Sequence, residues 1–96
     1  MSNVPNLDCM ESDDLRSFAV SLTVGIASHG TPIRRAREIF PERPKGYSRA
    51  AKDLGNYAWN KLIAMELRRQ GRISRAIGYE DICERIYSDL PEFARW

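Results

Sequence analysis

Histidine occurs once in the 96-residue chain, as His29, and cysteine twice, as Cys9 and Cys83. A metal centre with nitrogen and sulfur ligands would have to gather these three from distant points, without the close ligand pairs that metal sites show. Two cysteines are also too few for a disulfide framework, so a reducing, cytoplasmic setting is expected. Long apolar runs are missing as well. The run FAVSLTVGIA, residues 18–27, is half of the roughly 20 residues that a membrane-spanning helix needs. The N-terminus MSNVPNLDCMESDD lacks the basic start of a secretory leader, and no membrane role is expected. Alternating strand patterns of useful length and the Asn-Gly or Asp-Gly turns of tight hairpins are absent, which points away from a sheet-based fold.

Signatures of catalysis are equally scarce. The stretch GIASHGTP has neither the Lys nor the preceding strand of a phosphate-binding loop. Ser28 and His29 adjoin in sequence, but adjacency does not make a nucleophile–base pair, and no acid is placed to orient the imidazole. Glu38, Glu42 and Glu66 stand among arginines and read as surface ion-pair partners, as do Glu80, Asp81 and Glu84 near Arg85. No catalytic residue, metal ligand or cofactor is assigned, and the expected activity is binding.

What the chain does have is charge, unevenly placed. The net charge is +2, yet residues 31–76 carry twelve Lys or Arg against four acids, net +8. Residues 1–30 and 77–96 are each −3. A basic middle between acidic ends implies an acidic partner for the middle or pairing between the segments. With 43% hydrophobic and 29% charged residues, the composition is that of one folded domain over residues 1–96.

Apolar spacing predicts four helices. Ser12 as a cap, with Asp13 and Asp14 behind it, starts a first helix over 13–28; Leu15, Phe18, Ala19, Leu22 and Ile26 form its stripe, and Val20 and Val24 widen it. Gly30 stops it, and Thr31-Pro32 opens a short second helix over 32–40, with Ile33, Ala36 and Phe40 inward and Arg34, Arg35 and Arg37 elsewhere. Residues 41–46, PERPKG, form a loop. A third helix begins at Tyr47 or Ser48 and carries a seam of Tyr47, Ala51, Leu54, Ala58, Leu62 and Met65, ending at Gln70-Gly71. The fourth covers 74–89, and Pro91 stops it. Residues 1–11 are expected to be loose, and Phe93 and Trp96 of the tail 91–96 to dock on the core. The expected fold is therefore a small all-α four-helix domain with a long antiparallel hairpin of helices three and four.

In AAKDLGNYAWNKL, Ala51 followed four residues later by Gly55 resembles a Fis-like helix-turn-helix, which would imply DNA binding with Gly55 as the turn. The family's aliphatic anchor six residues after the Gly falls here on Lys61, and Leu62 is about 100° out of place. The seam through Gly55 favours one continuous helix, with the glycine admitting a close neighbour. Further on, Gly71, Ile73, Ala76 and Cys83 in QGRISRAIGYEDIC resemble a single tetratricopeptide-type hairpin over residues 56–90. That resemblance implies a helical hairpin used in packing or protein recognition. Glu80 stands where the family has an aromatic, and no 34-residue repeat is visible.

The functional expectation is a non-catalytic helical interaction module that binds a protein partner, or another copy of itself, through helical surfaces and its Arg-rich middle. Arg34, Arg35, Arg37, Arg49, Lys52 and Trp59 are the candidate binding residues. Arg49, Lys52, Asn56 and Asn60 share one side of the third helix; Trp59 is an aromatic anchor if it faces a partner and a packing residue if it faces its own domain. The alternative is a nucleic-acid binder that uses the same basic segment.

Overall fold

A computed structural model of the chain describes residues 3–24 and 30–96. Ile26 of the expected stripe, the expected helix end at Ser28, and His29 lie outside the described residues. Among the described residues the fold is all-α: α1 (Ser12–Thr23), α2 (Thr31–Ile39), α3 (Tyr47–Arg69) and α4 (Ile73–Asp89), with 3-10 turns at Leu7–Cys9 and Glu92–Ala94.

The first helix buries Leu15, Phe18, Ala19 and Leu22, the three-four stripe read from spacing. Its cap position is Glu11, one residue before the expected Ser12, with Asp13 and Asp14 in the first turn. The helix stops at Thr23, short of the expected end, and Val24 is extended. Val20, Thr23 and Val24 are β-branched, which weakens helix propagation here, and the Thr23 hydroxyl donates back to the Ala19 carbonyl at 2.7 Å. Val20 and Val24 do not widen the buried stripe; they are 39% and 51% exposed. In α2 the cap is Gly30 in the left-handed region. Ala36, Ile39 and Phe40 are buried, whereas Ile33, expected inward, is 54% exposed.

Helix α3 runs unbroken through Gly55, so the turn of a helix-turn-helix is not formed. A Cβ on Gly55 would stand 2.6 Å from Thr23 Cγ2 and 2.9 Å from Leu22 Cβ. The glycine is therefore the point at which α1 crosses α3 closely, as the unbroken seam predicts. Tyr57 lies two residues on, about 200° round the helix, and its carbonyl accepts from Cys83 Sγ of α4 at 3.6 Å. Thus α1 and α4 pack on opposite sides of α3, and the molecule is flat, 41 × 30 × 19 Å. The seam residues Ala51, Leu54, Ala58 and Leu62 are buried.

The α3–α4 turn is a Schellman motif. Gly71 has φ +79°, its N–H reaches the Arg68 carbonyl at 3.0 Å, and the Arg72 N–H reaches that of Leu67 at 2.8 Å. Packing then closes the hairpin around Ala76 and Cys83, aided at the surface by Arg68 hydrogen-bonded to Glu80. Ile73, Ile77 and Ile82 of α4 remain exposed.

Both terminal segments dock on this layer. The tail does so as expected, with Phe93 edge-on to Phe40 at 5.2 Å and Trp96 edge-on to Tyr57 and Tyr87 at 4.8 and 4.7 Å. The described part of the N-terminal segment departs from the expected looseness: Leu7 is completely buried. Beside it, one Asp8 oxygen accepts from Tyr57 at 2.6 Å and from Lys61 at 3.1 Å, and the other accepts from Trp96 Nε1 at 3.1 Å.

Candidate functional site

A cleft lies between α2 and α3 and is bordered by the end of α1. Its volume is about 410 Å³, and Leu22 and Thr23 of α1, Pro32, Ile33 and Ala36 of α2, and Ser48, Ala51, Lys52 and Asn56 of α3 line it. Leu22, Ala36 and Ala51 form a buried apolar floor. None of these lining residues is acidic.

Of the six candidate binding residues, Lys52 stands in the cleft lining. Arg49 precedes it by one turn on the same exposed strip of α3, and Arg37 follows Ile33 by four residues on α2 and so shares its face. Arg34 and Arg35 diverge from this group. Both reach Glu38, at 3.9 and 3.2 Å, and the Arg35 guanidinium also lies 5.8 Å from the centre of the Phe18 ring. Trp59 is half-buried and packs against the core, with its indole N–H donating to Thr23 Oγ1 at 2.6 Å. Its polar edge is thus spent within the domain, tying α3 to α1 at Thr23, which also lines the cleft.

Much of the remaining positive charge of the middle segment is paired. Lys61 meets Asp8, Arg68 meets Glu80 and Arg69 meets Glu66. Accordingly, the Arg68 guanidinium holds the Glu80 carboxyl below its ordinary range, and that of Arg69 does the same for Glu66. The internal pairing expected between the basic middle and the acidic ends is therefore present at two sites, Lys61–Asp8 and Arg68–Glu80, while Arg69–Glu66 lies within the middle segment, and none of the three pairs lines the cleft.

A second concavity, about 560 Å³, lies among Asn6, Asp8, Tyr57, Glu84, Tyr87, Ser88 and Trp96. Its main polar groups already satisfy one another, through the Asp8 contacts and a Tyr87 hydroxyl donating to the Trp96 carbonyl at 2.6 Å. Burial raises the Asp8 carboxyl, but the hydrogen bonds from Tyr57, Trp96 and Lys61 outweigh it and leave the group below its usual 3.8. Burial pushes the Tyr57 phenol up, and its bond to Asp8 adds to that. This arrangement ties chain segments together and offers little free hydrogen-bonding capacity. Cys83 is buried, which pushes its thiol up to about 11, while Cys9 is exposed.

Asn56 was marked in the sequence by its place beside Lys52, but Thr23, Pro32 and Ser48 were not. Nothing in their local pattern separates a cleft wall from an ordinary helix end. Ile33 does carry a signal, an apolar residue amid arginines, but spacing alone places it in the core, and the structure leaves it exposed. Among the described residues no helix is long and apolar enough to cross a membrane, and no three His, Cys, Asp or Glu side chains gather into a metal-sized group. Comparison with protein-family models, with curated proteins and with solved structures finds no match to the chain.

Proposed function

We propose that the chain is a non-catalytic helical interaction module whose binding surface is the α2–α3 cleft together with the cationic side chains beside it. The observation that carries this reading is the composition of the cleft, an apolar floor of Leu22, Ala36 and Ala51 under a rim that holds Lys52 and no carboxylate. A protein surface uses both halves of such a site, covering the exposed Ile33 side chain that stands over the floor and meeting the rim with complementary charge. The partner is another protein or a second copy of this chain.

The competing reading, nucleic-acid binding, draws on Arg49 and Lys52 with less help from α2, since Arg34 and Arg35 share Glu38. It also has no use for the apolar floor. Two experiments test the choice. A random-peptide display selection against the folded protein is expected to enrich peptides whose binding drops in the exposed-site variant Lys52→Glu. Anisotropy titrations of duplex DNA and single-stranded RNA at about 50 and 200 mM salt are expected to show no tight, steeply salt-dependent binding. Enrichment of no peptide, or nucleic-acid binding that weakens steeply with salt and with Lys52→Glu, overturns the proposal.

A further inference from the structure

We infer that the α2–α3 cleft receives an acidic amphipathic segment of a protein partner, with apolar side chains on the cleft floor and carboxylates against the basic rim. This rests on the interaction-module reading and names the chemistry of the partner. The volume of about 410 Å³ lies within the roughly 300–1,000 Å³ of sites that hold compact ligands, which matches a few side chains and not a whole helix. Along α3 the lining extends from Ser48 to Asn56, about 12 Å of helix. Two apolar side chains two helical turns apart, about 11 Å, span that length, a spacing with which a helix lays its face into a groove.

Charge fixes the other half of the segment. Lys52 stands at the rim, Arg49 one turn before it and Arg37 one turn beyond Ile33, and no acid faces the cleft from its lining. A basic segment would meet uncompensated like charge there, and an uncharged one would leave the cations without complementary partners. A phosphate backbone would satisfy the cations but leave Ile33 uncovered. Carboxylates that flank apolar anchors satisfy both.

The test uses the full chain and two synthetic peptides of about 12 residues with leucines two helical turns apart. One carries glutamates at the flanking positions and the other lysines. Amide-shift titrations by NMR are expected to show the glutamate peptide moving Ile33, Ala36, Ala51, Lys52 and Asn56, and the lysine peptide leaving them in place. Lys52→Glu and Arg37→Glu, both at exposed side chains, are each expected to weaken the glutamate peptide by roughly fivefold. Equal shifts from the lysine peptide, or shifts confined to surfaces away from the cleft, overturn the inference. Display-selected peptides that depend on Lys52 yet are basic or uncharged overturn it while the interaction-module reading stands. If no peptide of any composition binds, both fall.

Discussion

Gly55 shows how one residue sets the distance between two helices. Glycine in a helix interior is destabilising by about 1 kcal/mol relative to alanine, so propensity alone predicts that Gly55→Ala stabilises α3. The structure predicts the opposite. An added Cβ would meet Thr23 Cγ2 at 2.6 Å and Leu22 Cβ at 2.9 Å, and Thr23 is held by hydrogen bonds to Ala19 and Trp59. Overpacking of this kind is destabilising by about 1–3 kcal/mol, so Gly55→Ala should lower the midpoint of urea unfolding. A raised midpoint would mean that α1 can move off α3 freely. Because Thr23 and Leu22 also line the cleft, the same variant should shift amide resonances there.

At the scale of elements, the α3–α4 hairpin depends on a turn of three residues. Gly71 holds φ +79°, a conformation that is unfavourable by about 1–2 kcal/mol for a residue with a Cβ. Space is not the obstacle, since a Cβ there meets nothing within 4 Å. Gly71→Ala is therefore expected to destabilise by about 1 kcal/mol, whereas Gly71→Asn, which tolerates the left-handed region better, should lose less. Thermal unfolding followed by circular dichroism distinguishes the two, and equal losses would refute the backbone explanation. The turn was legible in the sequence because Gln70-Gly71 behind Arg68 and Arg69 is a local pattern that needs no knowledge of the rest of the chain. The end of α1 was less legible. Apolar periodicity continues past Thr23, and only the extended backbone of Val24 marks where the helix ends.

For the whole molecule, Asp8 joins three parts of the chain that are distant in sequence. It takes hydrogen bonds from Tyr57 and Lys61 of α3 and from Trp96 of the tail, and these hold its carboxyl below the usual 3.8 in the folded state. A carboxylate lowered on folding contributes stability that is present above its unfolded pKa and is lost as pH falls through the folded one. Urea stability is thus expected to be level between about pH 5 and 7 and to fall below about pH 4. Asp8→Asn should be less stable than the parent at neutral pH, with a shallower fall in acid. Glu66 and Glu80 are lowered in the same sense, but solvent screens them and their share is smaller. An unchanged acid profile in the Asp8 variant would assign the fall to those surface pairs.

The local sequence by itself determined the helix count, the continuity of α3 through Gly55, the stop at Gly71 and the docking of an aromatic tail. Each of these follows from short-range preference or from an apolar repeat along one helix. It also determined that the charge of the middle segment is basic. Only the tertiary structure decided which basic side chain meets an apolar surface, because it brings Lys52 of α3 beside Pro32 and Ile33 of α2 in the cleft, whereas the pairing of Arg34 and Arg35 with Glu38 is local to α2. The same holds for Ile33, Val20 and Trp59, whose apolar surface suits core and interface alike. Whether a helical face is covered depends on what packs against it, and that neighbour lies elsewhere in the chain.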